Sequence, residues 1–277
     1  MHARELDIDG LRLHLLEAGT PSAEPPVLLL HGWPTNAQLW RHALPAIGEH
    51  RHALALDLPG FGRSSKPLQA SYSFRFYDRV LTGVLDALGA DRVGLVVHDL
   101  GGPLGLHWAV GHRERVSDLV LLNTLVFSDV SWAVKAFVAL SYLPIARDVL
   151  VSPWGIRQAL RLGVRDRARL TPEVLSHYLE PYVERPARQA LLRAAHGLHP
   201  GGFEAIEAGL GALEVPTALI YGEADRILPD VARTMARVQA CIPGATCTPI
   251  PGCGHFLQED RPEAVTRLLV EALARPS

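Results

Sequence analysis

The chain has 277 residues, 48% of them hydrophobic and 20% charged. That composition suits a soluble globular protein with a sizeable core, either one large α/β domain or a domain carrying an inserted lid. A formal net charge of −2 offers no bulk attraction for nucleic acid or an anionic membrane, so neither is expected as a partner.

The opening stretch from Met1 to Asp7 is charged and lacks the apolar core of a secretion signal. Five short apolar runs then read as buried strands: Val27 to Leu30, Ala53 to Leu56, Val93 to Val97, Leu119 to Leu122 and Ala218 to Tyr221. Turn residues follow most of them, and helix-length segments such as Arg75 to Leu88 and Leu104 to Val110 lie between. Continuous apolar strands alternating with helices imply an α/β fold with a mostly parallel sheet covered by helices on both faces. From 125 to 211 the pattern turns helical, with prolines at 144, 153, 172, 181, 186 and 200 and no buried-strand run. This block is expected to be an α-helical cap inserted into a core formed by 1–124 and 212–277. The apolar stretch from Val130 to Val151 is broken by Lys135, Pro144, Arg147 and Asp148, and reads as cap or core helix, not as a membrane span.

Cys241, Cys247 and Cys253 are odd in number and lack a tight pair; Cys241 falls in a strand-like and Cys247 in a loop-like context. The simplest expectation is a reduced, cytoplasmic protein with no disulfide framework, no metal and no cofactor.

Catalytic groups in open α/β sheets gather at the carboxyl ends of strands, and four strand ends here carry polar or glycine-rich signals. In His98-Asp99-Leu100-Gly101-Gly102, a strand meets a helix at a turn that exposes Asp99. The helix N-terminus favours its ionised form, which makes Asp99 a candidate nucleophile; the competing role is an ordinary helix cap. Asp225, after the Ala218 to Tyr221 run, is placed to orient and stabilise a histidine, with Glu223 as a nearby competitor. His255, in Pro251-Gly252-Cys253-Gly254-His255, sits in a loop its glycines permit and has the pKa of a base for water. In His31-Gly32-Trp33-Pro34, the backbone N–H of Trp33, together with that of Leu100, can face the reacting carboxylate as an oxyanion hole.

The order nucleophile, acid, base along the chain (99, 225, 255) is that of α/β-hydrolases. Over nearly its whole length the chain resembles that superfamily. The segment Asp57-Leu58-Pro59-Gly60-Phe61-Gly62-Arg63-Ser64 resembles the loop after the next strand of those proteins. An aspartate at the nucleophile turn resembles the epoxide hydrolase and haloalkane dehalogenase branches, which also share a H-G-x-P motif like His31 to Pro34. His98 through Val116 is dehalogenase-like, whereas Leu122-Asn123-Thr124 is closer to epoxide hydrolases. The absence of a G-x-S-x-G motif sets ordinary serine esterases aside.

The resemblance implies attack by Asp99 on carbon, a covalent alkyl ester, and its hydrolysis by water that His255 activates with Asp225 behind it. The branches differ at the leaving group. Dehalogenases of this type carry a tryptophan where this chain has Leu100, so Trp33, Trp132 or Trp154 would have to supply an indole donor. Epoxide hydrolases use two cap tyrosines; Tyr142, Tyr178 and Tyr182 are available, with His177, His196 or His199 as substitutes for the second. The stretch Gly201 to Ile206 lacks the late tyrosine of that branch. Loss of the halide-binding tryptophan favours a small apolar epoxide opened to a diol. The alternatives are a haloalkane with the same three residues, or a non-catalytic ligand-binding member of the fold. The expected partners are a small apolar substrate and water, with the protein a monomer or homodimer.

Overall fold

The structure is a computed structural model that describes residues 1–274. One eight-stranded sheet runs in the order β1-β2-β4-β3-β5-β6-β7-β8. The strands are β1 (His2–Ile8), β2 (Leu11–Ala18), β3 (Val27–Leu30), β4 (Ala53–Leu56), β5 (Val93–Asp99), β6 (Val116–Thr124), β7 (Thr217–Gly222) and β8 (Thr246–Ile250). The β1–β2 and β2–β4 pairings are antiparallel and all the others are parallel. The five apolar runs in the sequence are β3 to β7, and their residues are almost all buried. Both faces of these strands pack against other elements, so continuous apolar sequence is what they require. Removing most of a fully buried side chain here, as in Leu29→Ala or Leu121→Ala, costs about 2–5 kcal/mol.

Three strands carry no such run. The residues of β1 alternate toward solvent. It joins β2 through Asp9-Gly10, both at positive φ (52° and 77°), the geometry of a tight hairpin. β8 is the opposite edge strand and contains Pro249, which an edge tolerates. Cys247 lies in β8, whereas Cys241 ends a helix, the reverse of the strand-like and loop-like contexts expected for them.

Helices α1 (Ala43–Gly48), α2 (Phe74–Ala87) and α3 (Gly101–Gly111) connect the first strands. In α2, Phe76, Tyr77, Val80, Leu81 and Val84 recur at helical spacing and face the core, and Ser73 caps its first turn by accepting from the Phe76 N–H. Between β6 and β7 all the regular structure is helical, including α4 (Trp132–Tyr142), α5 (Pro144–Leu150), α6 (Pro153–Gly163), α7 (Pro172–Leu179), α8 (Arg185–His196) and α9 (Pro200–Gly209). The chain ends with α10 (Val231–Cys241), the short α11 (Leu257–Asp260) and α12 (Pro262–Leu273). Among the described residues, no helix is long and apolar enough to cross a membrane.

The middle of the helical block is tied to the loop behind β8. Backbone N–H groups of Arg165 and Asp166 donate to the Asp260 carboxylate at 2.8 Å. Glu259 is held by Arg41 through two hydrogen bonds of 2.5 and 2.7 Å, and accepts from the Tyr178 hydroxyl of α7. These buried charges are paired and hydrogen-bonded, the condition under which burial is tolerated.

Candidate active site

Asp99 is the last residue of β5, and its φ of 49° is left-handed, a strained conformation for a residue with a side chain. The two glycines that follow Leu100 let α3 begin at once. A Cβ on Gly101 would meet backbone oxygens of Leu30 and His31, and one on Gly102 would meet Thr124. Thr124 in turn donates its hydroxyl proton to the Asp99 carbonyl at 2.7 Å. The bend therefore holds because the ends of β3, β5 and β6 lie against one another.

The turn after β3 comes up against the same carboxylate. A Cβ on Gly32 would overlap the Asp99 side chain, so this close approach requires glycine. The Trp33 N–H donates to Asp99 Oδ1 at 2.7 Å, and the Leu100 N–H also favours the ionised carboxylate. His31 braces the turn by donating from Nδ1 to the Gly32 carbonyl (2.9 Å) while its Nε2 accepts from the Leu58 N–H (3.1 Å). Asp57 is occupied elsewhere, accepting from the Ala37 and Arg63 N–H groups at 2.6 and 2.7 Å.

His255 reaches the opposite side of Asp99. Its Nε2 stands 3.4 Å from Asp99 Oδ2 and has no well-formed hydrogen bond among the described residues. Its Nδ1 donates to Asp225 Oδ2 at 2.8 Å. Asp225 also accepts from the Asn123 amide (2.7 Å) and from the N–H groups of Ile227 and Leu228 (2.7 and 2.8 Å). Glu223, the competing carboxylate in the sequence, is exposed.

The backbone of His255 is pinned from both sides. Its N–H donates to the Gly163 carbonyl of α6 at 2.8 Å, and its own carbonyl accepts from His98 Nε2 at 2.9 Å. The sequence pattern did not pick out Asn123, His98 or Gly163 for these roles. Asn123, a polar residue directly after the apolar run Leu119 to Leu122, had the only readable local signal; its φ in the structure is 26°.

Charge follows from this arrangement. Burial acts against ionisation of Asp99 and Asp225, but His255 and the donated hydrogen bonds outweigh it and hold both pKa values below the ordinary carboxylate range. Burial likewise opposes the His255 cation, yet Asp225 and then Asp99 raise its pKa well above that of a free imidazole. The three groups thus favour one another's charged forms. His98, buried beside the His255 cation, is pushed down to about 4 and stays neutral.

The other candidates fall in different places. Trp33 is partly buried; its ring packs edge-on against Phe137 of α4 at 4.8 Å, and its indole N–H is buried without a partner among the described residues. Trp132 and Trp154, the other candidate indole donors, are 75% and 63% exposed. Tyr142 is 62% exposed and stacks on His196 at 4.3 Å; the two line an open cleft of about 890 Å³ between α4, α5 and α8 that does not include Asp99. His196 Nε2 lies 2.6 Å from Ser141 Oγ. Tyr178 is committed to Glu259, and buried Tyr182 accepts from the Gly62 N–H at 3.4 Å. His177 is half-buried and His199 exposed.

The alpha/beta hydrolase fold family matches residues 25–262. Haloalkane dehalogenase 2 of Mycobacterium tuberculosis is 30% identical over 97% of this chain and 94% of its own length. Epoxide hydrolase 3 of Xenopus tropicalis is 28% identical over 95% of this chain and 75% of its own. The crystal structure of haloalkane dehalogenase DbeA from Bradyrhizobium elkani superposes with a TM-score of 0.87 at 25% identity, covering 99% of this chain and 97% of that one. The strand order, the strained turn at Asp99 and these similarities lead to one conclusion: the chain belongs to the alpha/beta hydrolase fold family and is an α/β-fold hydrolase.

Proposed function

We propose that the protein displaces a leaving group from a saturated carbon of a small apolar substrate through a covalent ester on Asp99. The observation carrying this reading is the placement of the Asp99 carboxylate between the Trp33 amide and His255 Nε2. With Oδ1 held by Trp33, Oδ2 is free to attack; a C–O bond forms as the bond to the leaving group breaks. Esterification removes the Asp99 charge, and with it one of the influences that keep His255 protonated. The imidazole then loses its proton to solvent more readily, and its Nε2 can take a proton from water. The resulting hydroxide adds to the ester carbonyl, the N–H groups of Trp33 and Leu100 stabilise the oxyanion, and collapse releases the alcohol and restores Asp99. Asp225 keeps the Nδ1 proton in place throughout, and the helical block from 125 to 211 serves as the cap.

For the leaving group, a halide is the reading the site supports best. In-line attack drives the leaving group away from the attacking oxygen, so His255, on the Asp99 side, is badly placed to protonate it. The Trp33 indole N–H is buried without a partner among the described residues, on the residue whose backbone N–H holds Asp99 Oδ1; such a group suits a halide and is too weak an acid to protonate an alkoxide. Tyr178 and Tyr182 are engaged elsewhere, which weakens the case for the epoxide expected from the sequence. Epoxide opening stays as the second reading because epoxide hydrolase 3 is 28% identical over 95% of this chain.

A paired panel of chloro- and bromoalkanes against terminal and aryl epoxides separates the two: halide release supports the first, diol formation the second. In a single turnover in ¹⁸O-water, the first product oxygen should come from Asp99, not from solvent. Solvent label in the first-turnover product overturns the covalent step.

A further inference from the structure

The most apolar part of the helical block is also its least covered. In α4, only Ser141 is buried, and in α5 no residue is. A helix apolar around most of its circumference is normally buried or set against another apolar medium. Here Trp132, Leu140, Leu143, Ile145, Val149 and Trp154 all project outward, Ile145 with 83% of its surface exposed. So many exposed apolar side chains on neighbouring helices mark an interaction site.

Charge indicates what covers it. Lys135 and Arg147 stand on the same helices, and Arg185, Arg188 and Arg193 line the adjoining cleft, with Asp148 the only acid among its lining residues. A second copy docked by a two-fold axis would bring these cations together with little acid to answer them. An anionic bilayer answers both features. Apolar side chains and the two tryptophans enter the boundary between headgroups and acyl chains, while the arginines engage lipid phosphates. The whole-chain charge of −2 conceals this local excess, so bulk charge offers no sign of a membrane partner.

We propose that α4, α5 and the arginine-lined cleft beside them dock the protein on anionic lipid surfaces. Phe137 of the same helix packs against Trp33. An apolar substrate dissolved in the lipid would therefore be delivered one helix thickness, about 10 Å, from the turn that holds Asp99. The docking itself does not depend on which leaving group the enzyme accepts.

The test is co-sedimentation with phosphatidylcholine vesicles with and without phosphatidylglycerol, together with tryptophan emission. Trp40 and Trp108 are buried and Trp33 partly so, which leaves Trp132 and Trp154 as the reporters. Wild-type protein and Asp99→Asn should both bind the phosphatidylglycerol vesicles, shift their emission to the blue, and be quenched by brominated lipid. Ile145→Glu with Val149→Glu should abolish binding without changing the melting temperature. Arg185→Gln and Arg188→Gln should each weaken partitioning about fivefold, and salt should weaken it too. Failure of the wild type to bind, equal binding to pure phosphatidylcholine, or a concentration-dependent dimer that Ile145→Glu dissolves would each overturn the proposal.

Discussion

Around Asp225, each carboxylate oxygen accepts two hydrogen bonds; along α4 and α5, apolar side chains stand in solvent. The first region is buried, charged and held by partners from several strand ends. The second is apolar and almost free of the core, apart from contacts such as Phe137 on Trp33. The middle of the same helical block behaves like the first region: α6 and α7 are fastened to the loop behind His255 through Gly163, Arg165, Asp166 and Tyr178. The block thus has one part built into the site and another facing outward. Polar precision is concentrated where charge must be held still, whereas α4 and α5 are left largely uncommitted to the core.

The comparison breaks most directly at Asp99. Asp99→Ala should lower turnover by about 10⁴-fold or more and leave no covalent adduct in intact-protein mass spectrometry. His255→Gln should lose turnover on a similar scale, yet accumulate an adduct on Asp99 when mixed with a reactive substrate. An unmodified protein with a confirmed substrate would remove His255 from the ester-hydrolysis step.

Smaller effects sharpen the picture. Asn123 both donates to Asp225 and accepts from the Gly222 N–H at 2.9 Å. Asn123→Ala should therefore cost about 1–3 kcal/mol in chemical denaturation, because it strands a buried N–H, and should lower kcat more than it raises KM. The pH dependence has a definite sign. In the ester Asp99 is uncharged, so Asp225 alone still raises the His255 pKa against the effect of burial, and ester hydrolysis should increase as pH rises and the imidazolium deprotonates. Asp99→Asn likewise removes the Asp99 charge, so the His255 pKa followed by NMR should fall in that variant; an unchanged value would mean that Asp99 contributes nothing to it. The corresponding contribution to stability is fully present below the unfolded-state histidine value of about 6.5 and is lost as pH climbs through the raised one. Least of all, Leu140→Ser on the outer face of α4 should change stability by less than about 0.5 kcal/mol in a thermal melt, since Leu140 is 45% exposed and little packing is lost.

Sequence alone determined the parallel strands β3 to β7, the helical character of 125–211 and the strand-end positions of Asp99, Asp225 and His255. These rest on local patterns: continuous apolar runs, glycine-rich turns and chain order. The edge strands escaped because half-exposed β1 and proline-containing β8 have little need for apolar runs. Tertiary structure alone decided the partners. Asn123 meets Asp225 across 102 residues, His98 meets His255 across 157, and Tyr178 is claimed by Glu259 across 81. Whether Trp33 turns inward and Trp132 outward was settled in the same way. A residue's type states which bonds it can make, but only the packing of distant segments determines which partner is within reach and which face is left to solvent.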